Sequence, residues 1–399
     1  MEKLFWISIL IIFYTYIGYG IVLYFLVLLK RLLGRKEVFE TENYEPEVSL
    51  LIPAFNEEDY IDQKILNSLE LDYPKDKIQI LCITDGSSDN TVKFLTKYEE
   101  VKVLHQDERK GKIAAINRGI NEISTPIVIF TDTNTLLPKN AIKEIVKQFA
   151  NHKVGCVSGE KRIFSGESEA ASTAGEGLYW KYESLLKRLD SELSSVVGAA
   201  GELFAIRTEL YDETEPDTLL DDFMISLRIA MKGFITAYTP EAYAIESGSE
   251  SIGEEMKRKV RISAGGIQSI LRLLPLWNIF KYGIISFQYV SHRVLRWTLT
   301  PFLLVLVLIC NILLVLQPEN FTNKSFYTFL LLSQFVFYTL ALVGWLLEKR
   351  EMRLKIFFVP FYFTFMNVAV FLGMIKFARG KQSANWEKAK RSNAKVTQN

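Results

Sequence analysis

Polar residues that can bind or move protons and cations recur where short apolar runs end. Pro53-Ala54-Phe55-Asn56-Glu57 closes the run VSLLIPAF at 48–55. Asp85-Gly86-Ser87-Ser88-Asp89 follows IQILCIT at 78–84, and Asp132-Thr133-Asn134 ends the run PIVIFTD at 126–132. Further on, Asp221 and Asp222 stand side by side ahead of the helical pattern ISLRIAMKG. Carboxylate and amide oxygens are ligands for hard divalent cations. Two adjacent carboxyls raise one another's pKa, which suits one of them to general-base work near neutral pH. Taken singly, each strand-end acid has a plain alternative as a helix N-cap or turn former, and Asp89 is read that way. Asp221 and Asp222 likewise suit the first turn of a helix on dipole grounds alone.

The elements that position these groups are legible from periodicity. The run at 48–55 is followed by a helix with Ile61, Ile65, Leu66 and Leu69 on one side, and the run at 78–84 by a helix opening near Asp89. VKVLH at 101–105, a helix through Ile113, Ile116 and Ile120, and the run at 126–132 continue the series. Ile142, Ile145, Val146 and Phe149 then repeat at helical spacing, and VGCVS closes the series. Near-continuous apolar strands alternating with helices predict a mostly parallel sheet covered on both faces. Ligands of such sheets bind beyond the carboxyl ends of the strands. Three polar strand ends on that rim therefore outweigh the capping explanation of any one of them.

The whole chain sets the surroundings. A net charge of +1 over 399 residues, with 23% charged and 49% hydrophobic residues, offers no basic stripe for a nucleic acid. Cys82, Cys156 and Cys310 form no disulfide framework, and His105, His152 and His292 form no ligand cluster. The apolar residues are gathered into blocks at 4–29, 298–316, 326–347 and 356–375, each long enough to cross a bilayer. Lys30, Arg31, Arg35 and Lys36 after the first block, and the basic loop EKREMRLK between the last two, predict a cytosolic middle of the chain. The basic tail (Lys376, Arg379, Lys381, Lys388, Lys390, Arg391) conflicts with three further full crossings, and Pro301 and Pro360 mark places where a helix can bend.

PAFNE, DGSSDNT, GKIAAINRG and FTDTNT, in this order and spacing, resemble the inverting family 2 glycosyltransferases of GT-A fold. That group contains the cellulose, chitin and hyaluronan synthases, and the resemblance covers roughly residues 46–300. It implies an α/β, Rossmann-like GT-A domain and a nucleotide-sugar donor. Asp132 matches the start of the metal-binding DxD motif, with Asn134 in place of its second acid, so the resemblance implies a Mg²⁺ or Mn²⁺ cofactor. For Asn134, metal or donor contact and a turn cap both stand. Pro53, Asn56, Glu57 and Asp85 fall where the family meets base and ribose, and Lys112 where a lysine meets the nucleotide. For Lys112 a solvated charge run with Arg109 and Lys110 is the alternative. Asp222, the second acid of the (T/E)-D motif, matches the catalytic base, with Asp221 as partner or exchanged in role. Gly198-Ala199-Ala200-Gly201-Glu202 resembles the segment lining the sugar pocket.

The departure lies at Arg258-Lys259-Val260-Arg261-Ile262, where the synthases carry QxxRW. Arg261 keeps the basic residue expected at the diphosphate, while Gln and Trp are missing, which argues against bulk polymerisation. The expected organisation is a membrane helix at 1–30, a GT-A domain at 46–260 and interfacial helices at 261–297. Transmembrane segments at 298–375 and a basic tail at 376–399 complete it. The expected partners are a nucleotide-sugar, a saccharide or lipid-linked acceptor and the bilayer of the inner membrane, with the catalytic domain cytosolic. A processive polysaccharide synthase and a non-catalytic sugar-nucleotide-binding subunit are the competing readings.

Overall fold

The computed structural model describes residues 1–34, 44–164, 174–249, 251–318, 323–350, 352 and 354–380. Arg35, Lys36 and the tail from Lys381 onward, used above for orientation, lie outside them.

The chain opens with an apolar helix, α1 (Glu2–Phe13), continued through a π-helical stretch Tyr14–Gly18 into α2 (Tyr19–Leu33). Its 32 residues exceed the roughly 20 needed to cross the hydrocarbon core. The soluble part then alternates as the periodicity predicts: β1 (Val48–Ala54), α3 (Ile61–Leu69), β2 (Ile78–Asp85), α4 (Thr91–Leu95), β3 (Val101–Gln106), α5 (Lys112–Ile120), β4 (Ile127–Thr131) and α6 (Ala141–Gln148). It continues with β5 (Val154–Phe164), α7 (Ala174–Leu193), β6 (Leu203–Arg207), α8 (Asp221–Met231) and β7 (Ile235–Ser247).

The seven strands form one sheet in the order β3-β2-β1-β4-β6-β5-β7. Pairing is parallel except where β6 runs antiparallel to both β4 and β5. β1 is buried along its whole length, as a central parallel strand must be. Ile52, Ile61, Ile65 and Ile142 belong to the core on one face, and Leu51, Ile113, Ile116 and Phe204 to the core on the other. The sheet's order reverses direction between β1 and β4, and the carboxyl ends of β1, β2 and β4 therefore share a rim.

A long amphipathic helix, α9 (Ile252–Arg272), follows the sheet, capped by Ser251, whose Oγ accepts from the Glu254 N–H. The stretch expected to lie at the membrane interface continues in short helices: α10 (Ile279–Tyr282), α11 (Ile284–Tyr289), a π-helical stretch Val290–Val294 and α12 (Leu295–Trp297). Leu271, Leu274, Trp277 and Phe280 point outward from this region, Phe280 almost fully exposed. α13 (Leu299–Val315), α14 (Lys324–Glu348) and α15 (Lys355–Ala378, with Pro360 inside it) end the described chain. The first helix, α14 and α15 are each long and apolar enough to cross a membrane. α13 reaches that length only together with the residues from Ile284, across a bend of 53° at Thr298. α15 differs from α14 in burial, half of it being covered, because it packs on α9 as well as on α14.

Candidate active site

Gly86 and Gly111 shape the first part of the site. Both have positive φ, +68° and +94°, which glycine adopts without a Cβ penalty. They fold the segment 107–111 back over the end of β2, where the Asp85 carboxylate accepts from the backbone N–H groups of Lys110 (3.0 Å) and Gly111 (2.7 Å). Arg109 is thereby laid over the Phe55 ring at 3.8 Å. Asn56, also at positive φ, donates its N–H to Ser87 Oγ and accepts from the Ser88 N–H at 2.8 Å. The Glu57 N–H donates to Thr91 Oγ1, and the Pro53 carbonyl accepts from Thr133 Oγ1, both at 2.8 Å. The segments carrying Pro53, Asn56, Glu57, Asp85 and Asp132 thus interlock at one rim.

Lys112, first residue of α5, reaches across that rim. Its Nζ donates to Asp132 Oδ1 at 2.9 Å and lies 3.3 Å from Asp221 Oδ2. Burial disfavours its ammonium, but the carboxylates of Asp132 and Asp221 outweigh that and hold its pKa above the usual lysine value. Asp132 is raised by burial, against the pull of Lys112. Beneath it, fully buried Lys64 donates to Thr131 Oγ1 (2.8 Å) and the Thr135 carbonyl (3.0 Å), bracing the turn that carries Asp132 and half-buried Asn134. Burial lowers Lys64 to about 7, opposed by Asp132.

Asp221 and Asp222 open α8, so the N-terminal N–H groups and dipole face their carboxylates. Burial, reinforced by the Asp221 charge, nevertheless pushes Asp222 up to about 7. The small-residue loop lies directly across this turn: the Ala199 N–H donates to Ser226 Oγ, and Ser226 Oγ donates to the Asp222 carbonyl. A Cβ on Gly201 would lie 3.1 Å from Asp222 Oδ2. Three acids (Asp132, Asp221, Asp222) therefore stand around one lysine, and the excess negative charge is what a divalent cation would offset. Among the described residues, however, no three His, Cys, Asp or Glu side chains are grouped closely enough to form a ready-made metal cage.

Asp222 also faces a cavity of about 620 Å³ between the sheet domain and the membrane helices. Its domain end is polar, with Asp222, Glu202, Lys161, Arg258 and Lys259. The rings of Trp180, Phe223, Trp297 and Tyr362 line the cavity too, and the apolar helices contribute Ile17, Val359, Met366 and Val370.

Residues 49–214, which carry most of this rim, match the sequence model of Glycosyl transferase family 2. The chain carries a family 2 glycosyltransferase domain. It is 26% identical over 383 residues to the probable glycosyltransferase YdaM of Bacillus subtilis, covering 87% of each chain. It is also 26% identical over 308 residues to a poly-beta-1,6-N-acetyl-D-glucosamine synthase of Staphylococcus epidermidis, covering 73% of each. Among solved structures, a mannosyltransferase from Pyrobaculum calidifontis, in complex with GDP-Man and Mn²⁺, superposes with a TM-score of 0.70 at 21% identity. That likeness covers 95% of this chain and all of the other, so the shared fold takes in the flanking helices as well as the GT-A-like sheet domain.

Within the glycosyltransferase, Arg261, expected at the diphosphate, lies on α9. Successive helix residues are turned by about 100°, so Arg258, Lys259, Ile262 and Ser263 share one face of α9 and line the cavity, and Arg261 is not among its lining residues. Lys161 was not visible as a site residue. It sits on β5, pairs with Glu202 at 2.5 Å and with Glu246, and has no local motif to announce it. Against the cost of burial, Lys161, with Arg258 of α9 adding to it, holds Glu202 of the glycosyltransferase well below the usual carboxylate range.

Proposed function

We propose that the enzyme transfers a sugar, with inversion, from a nucleoside-diphosphate donor to a hydroxyl of a saccharide or lipid-linked acceptor at the cytosolic face of the inner membrane. The observation that carries this reading is the continuity between the Lys112–Asp132–Asp221 group and Asp222, which alone of the four also faces the cavity. The donor lies along Pro53, Asn56, Glu57 and Asp85, with its diphosphate at Lys112 and Asp132. Asp222 takes the proton of the acceptor hydroxyl as that oxygen bonds to the anomeric carbon from the face opposite the departing nucleoside diphosphate. One displacement leaves no covalent enzyme intermediate and inverts the anomeric configuration.

Asp132, with the amide of Asn134, is the group of this chain best suited to a divalent cation, and the excess of three acids over Lys112 fits one. Such a cation, Mg²⁺ or Mn²⁺, supplies charge stabilisation for the diphosphate leaving group. The Mn²⁺ held by the Pyrobaculum mannosyltransferase supports this assignment. Lys112 meanwhile keeps the acids of the rim from repelling the donor.

Processive polymer synthesis is the second reading, favoured by the likeness to the Staphylococcus synthase. Ile262 in place of the synthase Trp, and the apolar side chains that the helices contribute to the cavity, favour limited transfer. The deciding experiment is a screen of nucleotide-sugars for thermal stabilisation and for transfer, with and without Mn²⁺, followed by product sizing. Products extended by one or a few sugars are expected. Long polymer from the purified chain overturns the reading.

A further inference from the structure

The segment that delivers Asp221 and Asp222 does not fix itself. Residues 211–220 form neither helix nor strand, and α8 starts at Leu220, an N-cap with no side-chain oxygen to offer the first N–H groups. With no local cap, contacts from elsewhere must set where α8 begins. They come from α9. Gln268 Oε1 accepts from the Leu219 N–H at 3.1 Å, while Gln268 Nε2 donates to the Asp217 carbonyl at 2.9 Å. One turn on, Arg272 donates through Nη1 to Thr218 Oγ1 at 2.8 Å and through Nη2 to both Asp217 carboxylate oxygens at 2.7 Å.

Gly265 completes this stripe of α9 at i, i+3 and i+7. A Cβ there would lie 2.8 Å from Leu220 Cγ and 2.9 Å from Leu219 Cβ, so the segment lies directly on the helix backbone. α9 is itself seated closely on α15: a Cβ on Gly373 would come within 2.6 Å of Ser263 Cβ and 3.0 Å of the Val260 carbonyl oxygen. The head of α8 is therefore located relative to α15 as well as to the sheet. Stability does not account for the clasp on residues 217–219. Asp217 is 69% exposed, and ion pairs at such sites contribute little. Phe223 and Met224 of α8 are already buried with Ile270 and Leu273 of α9 in one apolar core. What the clasp fixes is the direction in which the chain enters α8, and rate responds to small displacements of a reacting group.

We infer that Gln268 and Arg272 are positioning residues for the transfer reaction, holding residues 217–219 so that Asp222 meets the acceptor hydroxyl. This deepens the glycosyltransferase reading and rests on it for the role of Asp222. The test uses the full chain in nanodiscs of total lipid from the source membrane, which supplies the acceptor. Nucleoside-diphosphate release from UDP-N-acetylglucosamine and from GDP-mannose, with Mn²⁺, is the kinetic readout, and hydrogen exchange at the amides of 219–226 is the ligand-free one. Gln268→Ala and Arg272→Met are each expected to lower kcat roughly tenfold with little change in donor KM. Both are expected to melt near the wild type and to exchange faster at 219–226. Gln268→Glu keeps an acceptor for the Leu219 N–H, and Arg272→Lys keeps a cation at Asp217, so each is expected to recover most of the lost rate. A rate lost only in step with melting temperature, or a raised donor KM at unchanged kcat, overturns the inference. Unchanged exchange at 219–226 overturns it as well, and that result is readable even if neither donor is turned over. Asp222→Asn separates the two readings. If it keeps its rate, the base assignment fails; if it loses its rate while the Gln268 and Arg272 variants keep theirs, the positioning role fails alone.

Discussion

At the scale of single residues, Asp222 carries the heaviest expectation. Loss of a general base costs about 10²–10⁴-fold in rate, so Asp222→Asn is expected to lower transfer by that factor while donor binding persists. With its pKa pushed up to about 7, the carboxylate is mostly protonated below neutrality. The rate should therefore rise with pH up to about 7 and level off above it. Lys112 opposes the rise in Asp222's pKa, so Lys112→Met is expected to move that midpoint to higher pH, read in the pH–rate profile. A midpoint that stays in place would separate Lys112 from the base. Stability runs the other way. A carboxyl whose folded pKa exceeds its unfolded value of about 3.9 costs stability as pH climbs between the two values. Asp222→Asn is thus expected to melt no lower than the wild type at pH 8. A residue held only for structure would show the opposite pairing, activity kept and melting temperature lost.

Elements decide whether those residues meet. The parallel β1, β2 and β4, with their polar carboxyl ends, were readable because strand and helix periodicities alternate over short distances. β6 and β7 were not read, and β6 runs against its neighbours, a matter of long-range pairing that leaves no local trace. The same limit explains the site. Asp132 and Asp222 lie in compact motifs, whereas Lys161, Glu202 and Glu246 are drawn together from separate strands and a loop. On α9 the spacing around Arg261 was visible, but that Arg258 and Lys259 are the cations lining the cavity depends on how the whole helix docks. The loop 198–201 yields a prediction at this scale. A Cβ at Gly201 would meet Asp222 Oδ2 at 3.1 Å and Cγ at 3.3 Å, a tight contact on a side chain fixed at the head of α8. Displacing a reacting group by fractions of an ångström is costly to rate. Gly201→Ala is expected to lower kcat by about tenfold with little change in the donor's KM. A change in donor KM alone would place Gly201 at the nucleotide instead.

For the molecule as a whole, the question is what holds the catalytic domain on its membrane helices. Two kinds of contact join α7 to the first helix. At the exposed end, Arg31 pairs with Glu192 and Lys30 Nζ donates to the carbonyls of Glu192 and Leu193. Exposed ion pairs of this sort contribute about 0–1 kcal/mol. Deeper in, Asp190 of α7 is fully buried and accepts from Tyr19 Oη of the first helix, from Gln288 Nε2 at 3.0 Å and from His292 Nδ1 at 2.7 Å. One carboxylate thus ties α7, the first helix and the 288–292 segment together. Removing it leaves Tyr19 Oη and His292 Nδ1 buried without that acceptor, while Gln288 keeps its bond to the Asp190 carbonyl. Breaking a buried charged contact costs about 3–5 kcal/mol. Asp190→Ala is therefore expected to lose most of its folded, monodisperse population after detergent extraction, with Asp190→Asn intermediate because the amide oxygen still accepts. Arg31→Ala should be close to wild type in the same chromatographic and thermal measurements. If Arg31→Ala proved the more damaging of the two, the domain would be held at its exposed edge, and the wall of the acceptor cavity would not depend on the buried junction.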